Sequence, residues 1–265
     1  MKISQLYHTL DTQIPASLSC PWDNDGLAVC PDPDAAVTGI VVALDVTDDV
    51  IRKAEETGSN VILTHHPLLF GGIKSVVSAP ADPRADRVIR LIQKGISAMA
   101  FHTRLDTLDG GVNDILATFL GLEDTLPFGD SDNPRGKPMG RMGSFPSPMS
   151  AEELATLCKQ RLRAPSVSFT DGGRPISKVA VLGGSGGDEI YAAICAGADA
   201  LVTGEAKHHH FCDAIDSGLT LVAAGHSSTE HPVCALLALM AGEICHAAGE
   251  EIPVFPMGQL PIRGI

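Results

Sequence analysis

The sequence predicts an α/β fold: two similar α/β domains related by internal duplication, with mixed sheets flanked by helices. Three observations lead there. Residues 38–64, TGIVVALDVTDDVIRKAEETGSNVILT, read as strand, turn, helix, strand, and residues 178–203, KVAVLGGSGGDEIYAAICAGADALVT, repeat that order. The closing heptads GSNVILT and GADALVT match in length and character, ending at Thr64 and Thr203. Each half then continues with a glycine-led apolar run that ends in histidine, GISAMAFH and GLTLVAAGH. Short apolar runs alternating with helical patterns indicate βαβ units, in sheets covered by helices.

The elements follow in order. In MKISQLYHTLDTQIP, Ile3, Leu6, Tyr7 and Leu10 recur at helical spacing among polar residues, which predicts an amphipathic N-terminal helix and not a signal peptide. After the two histidine-terminated runs come helical segments, GVNDILATFLGL in the first half and PVCALLALMAGEICHAAG in the second. Both halves finish in an apolar stretch with proline, TLPF at 125–128 and IPVF at 252–255. Residues 150–161 open with a capping box, Ser150 and Glu153, and predict a helix that corresponds to the N-terminal one. The Gly-, Pro- and Asp-rich stretch 129–140 reads as the connection. The expected boundary therefore lies near residue 128, giving a first domain over 1–128 and a second over 129–265, with the C-terminal segment packing back on the first.

Composition narrows the function. The 265-residue chain is 44% hydrophobic and 19% charged, enough for a sizeable core without disulfides. Its seven cysteines show no CxxC spacing and read as reduced, mostly buried thiols of a cytoplasmic protein, so cysteine-bound zinc is not expected. No apolar run reaches membrane-spanning length, the longest, residues 233–245, carrying Glu243. A formal net charge of −13 argues against non-specific binding to nucleic acid or anionic membrane. A phosphorylated small molecule stays compatible, because a metal can supply local positive charge.

The chemistry resides in histidines and carboxylates at the ends of apolar runs. His102 and Asp106 are four residues apart, as are His226 and Glu230, and VILTHHP places His65 beside His66. Imidazole and carboxylate are ligands for divalent first-row metals. Ligands of α/β sheets collect at the carboxyl ends of strands, where these residues fall. One histidine at a strand end is ordinarily a half-buried polar residue; the HH pair together with two H-x-x-x-D/E segments in a duplicated frame carries the argument. Within a strand His65 and His66 would face opposite ways, but at a strand end before Pro67 they can splay toward neighbouring ions. A dinuclear site with ions ~3.5–4 Å apart, bridged by a carboxylate and a water, fits this pattern. Five side chains suffice: His65, His66, Asp106, His226 and Glu230.

Other motifs carry less. His208, His209 and His210 open a helix, so their rings fan outward, and a solvated or cavity-lining helix end suits them at least as well as a third metal site. LGGSGGDEI matches neither GxxxxGK[ST] nor GxGxxG and reads as a tight turn in preference to a phosphate cradle. There is no recognisable cysteine nucleophile motif.

WDNDGL (22–27), LDVT (44–47), THHPLLF (64–70), HTRLD (102–106), TGEAKHH (203–209) and GHSSTE (225–230) occur in the order seen in one family. From about residue 20 onward the chain resembles the GTP cyclohydrolase 1 type 2 homologues, also called dinuclear metal centre hexameric proteins and interacting-factor-three-like. The resemblance implies two similar α/β domains in a toroidal homo-hexamer, a trimer of dimers. It further implies His66 and Asp106 on one ion, His65 and His226 on the other, and Glu230 bridging both. The ions would be iron, zinc or manganese. His102 is implied beside the site, as a group supporting the ligands or as a catalytic proton shuttle. Two positions depart from the family pattern: Asp25 replaces a small apolar residue, and Arg104 replaces asparagine, where it is expected to influence which anions bind. The chain lacks the extra domain that longer members insert between the halves. Two functions follow, a metal-dependent hydrolase acting on a nucleotide-like small molecule, or a non-catalytic metal-binding scaffold or regulatory interaction protein.

Overall fold

Four strands recur in the same spatial order in each of two sheets. The computed structural model describes residues 1–71, 75–78, 82–131, 133–258 and 262. The first elements are α1 (Ile3–Gln13), β1 (Gly26–Val29), β2 (Ile40–Ala43), α2 (Asp48–Thr57) and β3 (Val61–Thr64). Next come α3 (Pro83–Lys94), β4 (Ser97–Ala100), α4 (Thr103–Thr107), α5 (Val112–Leu120) and β5 (Glu123–Phe128). The second half has β6 (Gly140–Met149), α6 (Ala151–Arg161), β7 (Ser168–Phe169), β8 (Ile176–Leu182), α7 (Ile190–Cys195) and β9 (Ala200–Thr203). It ends with α8 (His208–Asp216), β10 (Thr220–Ala223), α9 (His226–Glu230), α10 (Val233–Ala247) and β11 (Val254–Pro256).

The described residues form two compact units, one within Met1–Leu105 and Val233–Gly258, the other within Asp106–Pro232. The change of unit near residue 105 differs from the boundary expected near residue 128, whereas the grouping of the C-terminal segment with the first unit is the expected one. The α5–β5 segment belongs to the second unit, and α10–β11 returns to the first. The reason is hydrogen bonding: β5 pairs with β6 in the second sheet, while β11 pairs in parallel with β2 in the first.

In the first unit the sheet order is β1-β4-β3-β2-β11. β1 is antiparallel to β4, and β4, β3 and β2 are parallel, with Thr64 opposite Ala100. Every residue of β2, β3 and β4 is buried, as strands covered on both faces must be. Ile51 and Ala54 of α2 and Val88 and Leu91 of α3 pack with Val41, Ile62 and Ala98 to form the core. Thr47 caps α2, its side chain accepting from the Val50 N–H, with Asp48 and Asp49 in the first turn favoured by the helix dipole. Gly58 stops the helix at φ +66°, a left-handed conformation that a side chain resists. Arg90 of α3 grips Glu55 of α2 through both Nε and Nη2, at 3.0 and 2.8 Å.

In the second unit the order is β5-β6-β8-β9-β10-β7. β7 is antiparallel to β10, and β10, β9 and β8 are parallel, with Thr203 opposite Ala223. The run β7-β10-β9-β8 thus repeats β1-β4-β3-β2 in order and sense, which is the duplication expected from sequence. The capping box at α6 forms as predicted: the Ser150 N–H donates to Glu153 at 2.7 Å, and the Glu153 N–H donates to the Ser150 hydroxyl at 3.3 Å. No helix among the described residues is long and apolar enough to cross a membrane.

Candidate metal centre

Three imidazoles gather in the first unit where β3 and β4 end. His65 and His66 directly follow β3, and His102 follows β4 by two residues. Their ring centroids are 4.9, 5.3 and 5.4 Å apart. A ring nitrogen from each lies within 4.8 Å of the other two, so the three together could hold a metal ion.

The orientation of each ring is set through Nδ1. His65 donates Nδ1–H to the Phe101 carbonyl at 2.9 Å. His66 Nδ1 lies 2.9 Å from Asp45 Oδ1, and His102 Nδ1 lies 2.9 Å from Asp23 Oδ1. A carbonyl or carboxylate holding Nδ1–H directs the Nε2 lone pair outward and raises its basicity, the arrangement typical of metal-bound histidine. Asp45 stands just after β2, as the histidines stand just after β3 and β4. Parallel strands therefore carry ligand and support side by side at the same sheet end.

Asp23 does more than hold one ring. Its Oδ2 accepts from the Thr103 N–H at 3.0 Å and the Thr103 hydroxyl at 2.6 Å. Burial alone would raise this carboxyl, but the hydrogen bond and charge of His102 and the two bonds from Thr103 overcome it and hold the pKa at about 2. Asp23 is consequently a fixed negative charge beside His102.

Arg104 faces away from this chemistry, contrary to the expectation that it would influence anion binding. Its guanidinium is buried, with Nε 2.9 Å from Asp25 Oδ2, Nη1 2.6 Å from Asp11 and 2.9 Å from the Ile14 carbonyl. The group also lies 4.7 Å from the Phe101 ring centroid. Asp25 Oδ2 accepts the His102 N–H as well, at 3.2 Å. The two positions that depart from the family pattern are thus partners, a buried ion pair that braces the backbone of His102.

In the second unit, Asp106, His226 and Glu230 are the relevant side chains. Asp106 and Glu230 are both buried, and a carboxylate oxygen of one lies within 4.8 Å of a carboxylate oxygen of the other. Two buried carboxylates at this range repel each other, and a divalent cation offsets that repulsion. His226 has Nε2 3.0 Å from Glu230 and Nδ1 3.2 Å from Glu205, so both ring nitrogens face carboxylates.

The GGSGG turn after β8 lies against Glu230. A Cβ added at Gly184, where φ is +65°, would stand 2.2 Å from Glu230 Oε1 and 3.2 Å from His226 Nε2. The glycine lets the backbone close over that carboxylate. The N–H groups of Gly183, Gly184 and Gly186 are engaged by Asn113, Thr229 and Thr203 at 2.8, 3.1 and 2.8 Å. These three donors are satisfied internally and are not turned to a ligand.

His210 is a structural residue of α8. Its Nδ1 accepts the Lys207 N–H at 3.1 Å, and its Nε2 lies 2.9 Å from Asp188. His209 and Asp188 complete a group that could hold an ion, but Asp188 is largely exposed and His210 already spends both nitrogens. An open cavity of about 520 Å³ lies nearby, lined by residues including Ser185, Glu205, Lys207 and His210.

The donor set could hold a metal ion: imidazoles oriented through Nδ1, and two buried carboxylates within ligand range of each other. The first unit brings together His65, His66 and His102; the second brings together Asp106, His226 and Glu230. Asp23, Asp45 and Glu205, which hold the ring nitrogens, were not assigned a role from sequence. Asp23 and Asp45 sit inside the motifs WDNDGL and LDVT, and the place of Asp45 just beyond an apolar run is the signal that could have marked it.

Residues 1–257 match Duf34/NIF3 (NGG1p interacting factor 3), and the chain belongs to that family. It is 32% identical over 234 residues to a GTP cyclohydrolase 1 type 2 homolog of Clostridium perfringens, covering 88% of each chain. A GTP cyclohydrolase 1 type 2 homolog of Streptomyces coelicolor is 32% identical over 259 residues, covering 96% of this chain and 90% of that one. Among solved structures, Staphylococcus aureus hypothetical protein SA1388 superposes with a TM-score of 0.88 at 30% identity, covering 100% of this chain and 99% of that one. Reduced HcgD from Methanocaldococcus jannaschii superposes with a TM-score of 0.78 at 28% identity over 97% of each chain.

Proposed function

We propose that His65, His66, Asp106, His226 and Glu230 hold two divalent metal ions per chain, iron, zinc or manganese, and that the protein is a metal-dependent hydrolase of a nucleotide-like small molecule. One observation carries the reading most: Asp106 and Glu230 are two buried carboxylates at close range, an arrangement that favours a cation. The Nδ1 support of His65 and His66 adds to it. Bound ions supply Lewis acidity where negative charge develops on the substrate.

The side chains then divide the work. Glu230, kept in place by the close approach of Gly184, would serve as a carboxylate ligand in this site. His102 is the group that moves a proton, through Nε2, because Asp23 holds its ring at Nδ1 and leaves Nε2 to the site. The names of the relatives favour GTP as substrate, with attack on the imidazole ring of its base. A cytoplasmic homo-hexamer is the assembly we propose.

Glu230→Gln is the direct test. Metal content and hydrolysis of GTP are expected to fall together in this variant, since the amide cannot neutralise cations. Full turnover with vacant sites would refute the mechanism. Ligand variants that lose thermal stability while no nucleotide is hydrolysed even by the loaded wild type would favour the scaffold function instead.

A further inference from the structure

Trp22 and Phe70 are each 55% exposed in a chain whose aromatic content is only 4%. Their rings meet edge to face, centroids 6.0 Å apart and planes inclined by 61°. Both also border His102: Trp22 at 6.1 Å and 75°, Phe70 at 6.0 Å and 70°. Three rings thus stand around one another, and one of them is the imidazole assigned proton transfer.

This arrangement is held from several sides. The Asn24 side-chain amide donates to the Leu69 carbonyl at 2.7 Å, tying the segment that carries Trp22 to the segment that carries Phe70. The Cys20 N–H donates to the Thr103 hydroxyl at 2.9 Å, and the Asp23 N–H donates back to the Cys20 carbonyl at 3.0 Å. Asp23 in turn holds His102. The positions of both exposed rings relative to His102 are therefore set by hydrogen bonds and not left to loop freedom.

Aromatic rings that meet at a surface offer π-faces and edges to which a planar ligand can pack. We propose that Trp22 and Phe70 form a stacking site for a planar nitrogen heterocycle, presented edge-on to His102. This rests on the hydrolase reading above and names its substrate class: the ring of a nucleoside supplies the binding surface, and the proton-moving imidazole lies at its edge. Aromatic stacking of this kind tolerates different bases, because every base has a π-face. Recognition here is accordingly of the ring and not of the phosphates.

Trp22 is the only tryptophan, so its emission reports the site directly. The metal-loaded wild type is titrated with guanosine, adenosine, uridine and, separately, inorganic tripolyphosphate, following fluorescence and calorimetric heat. Saturable changes in Trp22 emission with nucleosides are expected. Trp22→Ala should weaken nucleoside binding by about fivefold or more, the low end for one base–aromatic stack, and Phe70→Ala, which removes the inclined neighbouring ring, by a smaller measurable factor, with tripolyphosphate affinity unchanged in both. Trp22→Phe keeps a ring and should retain binding by calorimetry. If no nucleoside alters the emission or heat, or both alanine variants bind nucleosides as tightly as wild type, the stacking site is refuted. Metal content measured on the same samples separates the two claims. A wild type that takes up no metal refutes the hydrolase, while the nucleoside titration still decides the stacking site.

Discussion

Arg104 Nε lies 2.9 Å from Asp25 Oδ2, both side chains buried, and the same carboxylate accepts the backbone N–H of His102. A buried ion pair is costly to break on one side, because the remaining charge is left in low dielectric. Arg104→Ala should therefore destabilise the fold by about 3–5 kcal/mol. Arg104→Lys should recover little, since an ammonium cannot reproduce the fork that also reaches Asp11 and the Ile14 carbonyl. The Asp25→Ala/Arg104→Ala double variant should lose less than the sum of the single losses. Urea unfolding of the four proteins checks this, and strict additivity would contradict the pairing.

Asp23 should leave a signature in acid. Its folded pKa is about 2 against an ordinary 3.8. A depressed carboxyl contributes stability that is complete above about pH 4 and is lost as pH falls from about 4 to 2, here on the order of 2 kcal/mol. Asp23→Asn should lack this component. Urea midpoints at pH 5 and pH 2.5 measure it, and equal acid sensitivity of wild type and variant would dispose of the idea.

Asp45 should act on metal affinity more than on the fold. It is over a third exposed and holds only the far side of the His66 ring. Loss of such an outer partner typically costs 10–100-fold in metal affinity. Asp45→Ala should show that loss in a competitive chelator titration while its thermal unfolding without metal stays near wild type.

Gly184→Ala puts a methyl group where Glu230 Oε1 lies, at a backbone φ of +65°. The left-handed conformation alone costs a side chain about 1–2 kcal/mol. The variant should be destabilised by at least that amount and should also lose metal, because the Glu230 carboxylate must move. Unchanged metal content in a folded Gly184→Ala protein would show that Glu230 is not held from this side.

Much of the fold was legible because the duplication is written twice. GSNVILT and GADALVT became β3 and β9, and the histidine-ended runs became β4 and β10, with matching register at Thr64 and Thr203. The placement of α5 was not legible. It is an apolar helix after a carboxylate, and nothing local says which sheet receives the strand that follows. The ligand-type residues showed through the clustering of His, Asp and Glu at strand ends. Their supports did not, since Asp23 and His102 are 79 residues apart in sequence and only the fold makes them neighbours. Arg104 shows the same limit: its position beside the HTRLD carboxylate suggested the metal side, yet its helical neighbours turn it toward Asp11 and Asp25.

The central claim is that five side chains hold a pair of ions, and metal analysis of untagged protein tests it most directly. Elemental analysis after purification and reconstitution should give close to two divalent ions per chain, falling sharply in His65→Ala and Glu230→Gln. A folded wild type that retains no stoichiometric metal, or variants that retain the full complement, would contradict it.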